Sequence, residues 1–392
     1  MPPREPRRTL KREKEREMGF FKRNGAVTLI IGAFLLALIS LLVGSLQNSG
    51  DGDISFDPNH FTVETVGIPT LTSATPHGQL SVAYIETLNN EFYNRFSFSY
   101  QEMYSAAWIV NALLSMGYTW DDIAIQEYSA ASGIPNLPSY WAFNWYFIQL
   151  LSDSPFTDFG LRDSLQSQNV ILTVPGQSDQ TIIVGAHYDT VMFPGASDNA
   201  SGTALLLESA QRIREADNYY TIVYVFFGAE EVGLFGSFYY ANALSQTEHD
   251  NILFMINADV LLEGPDLFFK AGYDRNGEPG TNHITETWDQ IAEDLYFTHS
   301  LSFISVPEGI FGPSDHLAFL PWGHTAMFLS GLYAFDGWEY VSFQDTFPDF
   351  ARVLHTPQDE LGYIETRWPG KIDENMRAFS IFLEAILLAA YD

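Results

Sequence analysis

The chain turns from a strand into a helix at residues 182–202, which read IIVGAHYDTVMFPGASDNASG. The opening residues 182–186 are apolar and rich in β-branched side chains, which is typical of a strand covered on both faces. His187 and Asp189 follow that strand directly, and Asp198 stands just ahead of the helix. Strand, loop and helix in this order form the repeating unit of α/β folds. The stretch therefore predicts an α/β sheet with polar side chains at the end of a strand.

Similar patterns recur along the rest of the chain. Short apolar runs predict four more strands, at residues 170–174, 221–227, 252–256 and 325–329. Apolar residues at three- and four-residue steps predict helices at residues 101–118, 201–215, 283–295 and 371–390. This alternation predicts a single large α/β sandwich rather than two domains.

The composition excludes several kinds of protein. The chain has 392 residues and no cysteine, which excludes disulfide frameworks, thiol nucleophiles, Cys-ligated zinc fingers and iron–sulfur clusters. Any metal must then bind to His, Asp or Glu. With 19 basic and 49 acidic side chains the net charge is −30, so the chain lacks the basic surface that a nucleic-acid partner requires.

Charge is divided sharply along the sequence. Residues 1–24 carry nine basic and four acidic side chains, a net charge of +5, whereas residues 25–392 carry ten basic and 45 acidic ones, a net charge of −35. Residues 25–46 hold no charged side chain. As a helix rising about 1.5 Å per residue they would span roughly 33 Å, enough to cross the hydrocarbon core of a bilayer.

These features predict a single-pass protein of the cell membrane. We expect a basic cytoplasmic tail over residues 1–24, a transmembrane anchor in contact with the lipid bilayer over residues 25–46, and the rest of the chain outside the cytoplasm. A cleaved signal peptide is the alternative. Residues 47–84 are rich in small and polar residues without a sustained period, which predicts an extracytoplasmic tether. The folded domain is expected over residues 85–392.

Side chains that can bind metals follow the predicted strands. In open α/β sheets, ligands bind beyond the carboxyl ends of the strands. The residues found there are His187 and Asp189, Glu230 and Glu231, and Asp259. Singly, such residues have ordinary structural roles as helix caps or solvated surface. Gathered at one edge together with Asp198 and with His355 from a polar turn, they would repel one another unless cations neutralised them. Zinc suits such a mixed set of nitrogen and oxygen donors.

The donors divide between two zinc ions. As a bridging carboxylate, Asp198 can hold two metals about 3.5–4 Å apart. His187 and Asp259 would complete one site, and Glu231 and His355 the other.

Two residues remain for catalysis. Glu230 is free to act as the general base, which takes a proton from water and passes it to the leaving amine. Asp189 is placed to accept the second ring N–H of His187 and so to orient that imidazole.

Six short motifs occur in order between residues 185 and 359: GAHYDT, SDNASG, GAEE, NAD, SDH and HTPQD. In this order they resemble the dizinc exopeptidases of metallopeptidase family twenty-eight, which includes bacterial leucyl aminopeptidases, glutamate carboxypeptidases and glutaminyl cyclases. The resemblance covers about residues 85–392. It implies a zinc-dependent peptidase domain with a three-layer α/β/α sandwich and a mixed, mostly parallel central sheet. The same positions take the family roles: zinc ligands His187, Asp198, Glu231, Asp259 and His355, and general base Glu230.

Two features depart from the family pattern. Some aminopeptidases of the family carry a tyrosine three residues before the SDH motif, where it helps to hold the oxyanion, and here that position is Phe311. Tyr333 or Tyr340 from an aromatic stretch is a hypothetical replacement donor. The second departure is a long segment at residues 129–168, which resembles an insertion.

The sequence thus predicts a membrane-anchored, outward-facing dizinc aminopeptidase that acts on peptide or protein N-termini. An acidic rim would attract their α-ammonium group. A carboxypeptidase, a glutaminyl cyclase-like enzyme and a non-catalytic binding ectodomain remain as alternatives. A carboxypeptidase must bind the substrate carboxylate with Arg or Lys, and Arg352 is the only basic residue near a metal motif outside the tail.

Overall fold

The computed structural model describes residues 56, 67–69, 75–130, 161–162, 165–191, 193–214, 216–270, 282–306, 314–332 and 353–391. The strands within these ranges are β1 Ile123–Ser129, β2 Gln166–Val174, β3 Ser178–His187, β4 Tyr220–Phe227, β5 Ile252–Ala258, β6 Asp266–Lys270, β7 Phe303–Val306 and β8 Ala326–Leu332. The α-helices within them are α1 Gln79–Glu91, α2 Tyr100–Ser115, α3 Gly202–Ile213, α4 Phe235–Ala243, α5 Gln246–Asn251, α6 His283–His299, α7 Leu361–Arg367 and α8 Lys371–Leu387.

These strands form one mixed sheet in the order β1-β2-β4-β3-β5-β8-β6-β7. The central strands β4, β3, β5 and β8 are parallel to one another. On one side β2 is antiparallel to β4 and β1 to β2, and on the other β6 is antiparallel to β8 and parallel to β7. Because parallel strands end at the same edge of a sheet, the carboxyl ends of the four central strands lie side by side. The predicted α/β fold with a mixed sheet is confirmed.

The core lies on both faces of the central strands. Every residue of β8 and the last six residues of β3 are buried. Helices α1, α3 and α8 pack against one another, and α3 also contacts β3, β4 and β5. These contacts explain why the strand sequences are apolar without alternation, since neither face meets water.

The outer strands are absent from the sequence prediction, whereas all five predicted strands are present. Strand β1 reads IAIQEYS and lies at one edge of the sheet, and β6 and β7 have only five and four residues. Strands at or near a sheet edge need no continuous apolar run, because they are less completely covered. Strand β1 mixes polar and apolar residues, and β6 and β7 are too short to show a period, so these strands carry little signal in a single sequence.

Helix α1 is absent from the sequence prediction. Helix α1 starts at Gln79, inside the segment 47–84 for which the sequence predicts a tether. The buried carboxylate of Glu208 in α3 accepts the backbone N–H groups of Gly78 and Ser81, each at 2.8 Å. Gly78 has a φ of 83°, and a Cβ atom there would lie 2.3 Å from the backbone nitrogen of Arg377, so only glycine fits. The folded chain therefore extends ahead of residue 85.

Several predicted features lie outside the described residues. They are the tail at residues 1–24, the transmembrane anchor at residues 25–46 and most of the segment at residues 129–168. Within the described ranges, no helix combines the length and the apolar character needed to cross a membrane.

Candidate metal centre

The ends of three parallel strands meet at the predicted site. Strand β3 ends at His187, which is paired with Phe227, the last residue of β4. On its other side β3 pairs with β5, with Gly185 opposite Asn257, so Asp259 follows just beyond the end of β5. The sheet topology thus brings together the three motifs that follow these strands, as the sequence predicts.

Asp198 lies between two histidines. Its Oδ1 atom is 3.1 Å from Nε2 of His187, and its Oδ2 atom is 3.0 Å from Nε2 of His355. Nε2 of His187 is also 3.2 Å from Oδ1 of Asp259, and Nε2 of His355 is 3.1 Å from Oε2 of Glu231. The five predicted ligands therefore form two adjoining donor sets that share one carboxylate, with one oxygen turned toward each set.

Both donor sets have the dimensions of a zinc site. Zinc binds nitrogen and oxygen ligands at about 2.0–2.2 Å in tetrahedral geometry, which separates neighbouring donors by roughly 3.3–3.6 Å. The donor separations of 3.0–3.2 Å are close to that value. In addition, Oε1 of Glu231 is buried and has no hydrogen-bond partner among the described residues. A buried carboxylate oxygen needs a partner, and a cation would supply it.

Glu230 adjoins both the histidine of one set and the glutamate of the other. His187, Glu230 and Glu231 each offer one donor atom, and these atoms lie within 4.8 Å of one another. Glu230 is only 9% exposed, and its burial, which outweighs the nearby His187, raises its pKa well above the usual value. A higher pKa makes the ionised carboxylate a stronger proton acceptor, and bound zinc ions would favour that ionised form.

The nearby acidic groups favour the protonated form of both histidines. Burial opposes protonation of His355, but Glu231 and Asp198 outweigh it and raise the pKa of His355 to about 12. Burial likewise opposes a charge on His187, yet Asp259 and Glu230 raise its pKa well above the usual value. Without metal, each imidazolium therefore neutralises carboxylates that a divalent ion would otherwise neutralise.

Zinc uptake is therefore expected to release protons. Metal binds neutral imidazole and ionised carboxylate. At pH 7 both His187 and His355 must each lose a proton, and burial raises the pKa of Glu231 to about 7, so zinc binding should release at least about two protons per chain. Zinc affinity should accordingly fall as the pH falls. Titration calorimetry in two buffers of different ionisation enthalpy measures the release directly, and an identical heat in both buffers would contradict it.

Asp189 supports the site through both its backbone and its carboxylate. Nδ1 of His187 lies 3.2 Å from the backbone oxygen of Asp189 and 3.4 Å from its Oδ1 atom. The carboxylate also accepts the backbone N–H groups of Glu230 at 3.0 Å and Glu231 at 3.2 Å, as well as the hydroxyl of Ser97. Asp189 thus contacts the His187 ring through both its backbone oxygen and its carboxylate, and the carboxylate also connects this ring to the turn that carries Glu230.

Asp359 holds the turn that carries Asp198, a role that the sequence did not indicate. Its two carboxylate oxygens accept the backbone N–H groups of Ser197 at 2.7 Å and Asp198 at 3.0 Å. Because Asp359 follows His355 by four residues, the turn that carries His355 and the turn that carries Asp198 are tied together. A long-range contact of this kind leaves no periodic signal, although Asp359 does belong to the HTPQD motif.

Asp259 is held in a similar way. Ser314, the first residue of the SDH motif, donates its hydroxyl to Oδ2 of Asp259 at 2.7 Å. Asn257 in turn donates its amide to the Ser314 hydroxyl at 2.8 Å. The oxygen of Asp259 that faces His187 is the other one, Oδ1.

Arg95 is a buried cation beside the acidic donors. Its side chain is fully buried, and its guanidinium donates to five backbone carbonyls, those of Leu88, Phe92, Tyr188, Pro194 and Gly195. Tyr188 directly follows His187, and Gly195 lies three residues before Asp198. Arg95 therefore fixes both ends of the loop that joins these two proposed ligands.

Replacing Arg95 by methionine is expected to destabilise the fold strongly. The change leaves five carbonyls without their donor, and at about 1–3 kcal/mol for each buried unsatisfied group the free energy of unfolding should fall by at least about 3 kcal/mol. Arg95→Lys, which keeps the charge but not the planar arrangement of donors, should give a smaller loss. Denaturant unfolding measures both variants. A loss below 1 kcal/mol for the methionine variant would contradict this role.

Four residues discussed from the sequence lie outside the described ranges: Phe311, Tyr333, Tyr340 and Arg352. The oxyanion donor and the proposed carboxylate-binding arginine therefore stay predictions.

Comparison with known proteins bears on the same region. The family model described as "Peptidase family M28" matches residues 169–380. Aminopeptidase YwaD of Bacillus subtilis is 31% identical over 186 residues, which cover 47% of this chain and 36% of that protein. Aminopeptidase Y of Saccharomyces cerevisiae is 30% identical over 158 residues, which cover 40% of this chain and 28% of that protein. The chain thus spans about a third of the length of these curated relatives.

Solved structures share the fold at lower identity. A zinc aminopeptidase from Bacillus subtilis aligns with a TM-score of 0.58 at 17% identity, covering 81% of this chain and 97% of its own. A glutaminyl cyclase from an Acidobacteriales bacterium aligns with a TM-score of 0.55 at 20% identity, covering 82% of this chain and 98% of its own. At these identities the structural similarity establishes the fold alone. The aminopeptidase and the glutaminyl cyclase share this fold.

Proposed function

The chain belongs to peptidase family M28, and on that premise we propose that it is a dizinc aminopeptidase that removes residues from the N-termini of peptides. The observation that carries the proposal is the Asp198 carboxylate, whose two oxygens face His187 and His355, with Glu230 close to His187 and Glu231. His187 and Asp259 would hold one zinc ion and Glu231 and His355 the other, with the Asp198 carboxylate shared between the two donor sets.

Different residues of the chain have different roles in the proposed reaction. When bound, the two zinc ions supply Lewis-acid polarisation of the scissile carbonyl. Glu230 takes a proton from the attacking water, whose oxygen forms the new bond to the carbonyl carbon. The same carboxyl group then gives that proton to the amine nitrogen as the C–N bond breaks. Asp189 keeps the Glu230 turn and the His187 ring in fixed relation during both transfers.

The charge around the site favours an N-terminal substrate. A recess beside Asp198, Glu231 and His355 is lined also by Thr190, Phe193 and Asp359 among others, and none of its described lining residues is Lys or Arg. Arg95 lies nearby, but its guanidinium is occupied by backbone carbonyls. A carboxypeptidase must bind the C-terminal carboxylate of its substrate with Arg or Lys, and the described lining of this recess offers neither. This supports an aminopeptidase over a carboxypeptidase.

Two blocked peptides distinguish the candidate activities. The full-length chain, loaded with zinc, is expected to release the first residue from a peptide with a free amine and an amidated C-terminus. It should leave an N-acetylated peptide with a free C-terminus intact. The reverse pattern would indicate a carboxypeptidase, and formation of pyroglutamate from an N-terminal glutamine without cleavage would indicate a glutaminyl cyclase. No reaction with any peptide would indicate a binding ectodomain.

The proposed enzyme is anchored in the cell membrane with its catalytic domain outside. The support is the uncharged stretch at residues 25–46 behind a tail of net charge +5. Alkaline carbonate extraction of membranes should leave the full-length chain in the pellet, and protease added to intact cells should digest the catalytic domain. Release of the intact chain into the carbonate supernatant would contradict the anchor.

A further inference from the structure

We propose that Glu102 is a positioning residue for catalysis, which holds the turn that carries Glu230; this inference rests on the aminopeptidase function proposed above. Glu102 lies in the first turn of α2 and is fully buried. It precedes residues 169–380, which the family model matches, and it belongs to none of the six motifs.

Glu102 is fully engaged by hydrogen bonds. Its Oε1 atom accepts the backbone N–H of Ala229 at 2.9 Å and the hydroxyl of Ser167 at 2.7 Å, and its Oε2 atom accepts the backbone N–H of Phe98 at 2.6 Å. Phe98 lies just before α2, Ser167 lies in β2, and Ala229 follows β4. The Glu102 carboxylate thus holds three separate parts of the chain together. One of its contacts is with Ala229, the residue immediately before Glu230.

The backbone of the turn explains why a carboxylate is needed. Ala229 has a φ of 50°, in the left-handed region that residues with a Cβ atom adopt at a cost. In such turns successive N–H groups point to one side and form a concave site for anions. Here the N–H of Ala229 donates to Glu102, and those of Glu230 and Glu231 donate to Asp189. Two buried carboxylates therefore bind three consecutive N–H groups and fix the direction of the backbone.

This arrangement places the general base relative to the donor sets. Asp189 fixes the turn from the His187 side, and Glu102 fixes it from helix α2. If the Ala229 N–H turns away, the Glu230 side chain moves relative to the attacking water. A misplacement of about 1 Å can cost up to about a hundredfold in rate. Glu102 contacts none of the five proposed zinc ligands through a described hydrogen bond, so its loss should affect turnover and spare metal binding.

Glu102→Gln is the direct test. Glutamine has the same shape, but one of its terminal atoms is an NH₂ donor, so it cannot accept all three hydrogen bonds. In the full-length zinc-loaded enzyme we expect kcat to fall at least about tenfold, with KM changed less than about twofold and with zinc content unchanged.

Glu208→Gln is the matched control. Glu208 is also a fully buried helical glutamate that accepts backbone N–H and hydroxyl groups, from Gly78, Ser81 and Ser380. It is also paired with Arg212, one turn further along α3, at 2.8 Å. None of these partners belongs to the donor sets. The control should lower the melting temperature at least as much as Glu102→Gln while it keeps the wild-type kcat.

The outcomes separate the possible explanations. A fall in kcat confined to Glu102→Gln supports the inference, whereas an unchanged kcat, or an equal fall in both variants, overturns it. If Glu102→Gln does not fold, Ser167→Ala removes one hydrogen bond to Glu102 and should lower kcat about threefold with zinc retained; an unchanged kcat in that variant also overturns the inference. Wild-type enzyme that is inactive on every peptide would instead refute the proposed function.

Discussion

Replacing Glu230 by glutamine is expected to leave two zinc ions bound to each chain and to lower kcat by about 10²–10⁴-fold. The carboxylate adjoins His187 and Glu231, and its burial raises its pKa. Glutamine has nearly the same size but cannot accept the proton of the attacking water. Because Glu230 is proposed as base and not as ligand, the metals should stay.

Kinetics on a peptide with a free N-terminus, combined with elemental analysis of the same samples, measures both parts of this prediction. Glu208→Gln again serves as the control for a buried glutamate outside the site. A variant that keeps more than a tenth of the wild-type kcat would show that another group takes the proton. Loss of a zinc ion from Glu230→Gln would show that Glu230 is a ligand.

Replacing Asp198 by asparagine should weaken the binding of both zinc ions. Its two oxygens face different histidines at 3.1 and 3.0 Å, and hydrogen bonds from those histidines, working against burial, hold its pKa below the usual value. Asparagine keeps one uncharged oxygen and replaces the other with an NH₂ group, so it cannot bridge. Loss of an outer-shell partner costs about 10–100-fold in metal affinity, and loss of a bridging ligand should cost at least about a hundredfold at each site.

Zinc affinity measured against a competing chelator tests this prediction. Asp250→Asn is the matched control, because Asp250 lies exposed in α5 and, within the described part of the chain, its carboxylate accepts a hydrogen bond only from Gln246. Its two zinc affinities should equal those of the wild type. An Asp198→Asn protein that lost affinity at only one site would show that Asp198 does not bridge.

The predicted donor residues lie together in the structure because the strand topology gathers most of them. Three parallel strands end at one edge, so the residues after them must meet, and His187, Glu231 and Asp259 needed no further information. Asp198 was identifiable because it precedes a helix in the same βα unit as His187. His355 lies far along the chain in an irregular turn with a φ of 56°, so strand topology does not locate it, and its place was inferred from its donor chemistry and from the HTPQD motif.

The supporting residues could not be predicted in this way. Arg95, Glu102 and Asp359 act through hydrogen bonds to backbone groups that lie many residues away in the sequence. Such contacts depend on the completed fold and impose no spacing or hydrophobic period on the chain. A glutamate on a helix such as α2 reads as an ordinary surface residue until the packing shows that it is buried.

Anomalous diffraction at the zinc edge from crystals of the zinc-loaded protein tests the central claim most directly. The bridging role of Asp198 predicts two peaks about 3.5–4 Å apart, one on each side of its carboxylate, with His187 and Asp259 around the first and Glu231 and His355 around the second. A single peak, or two peaks that Asp198 does not join, would contradict it.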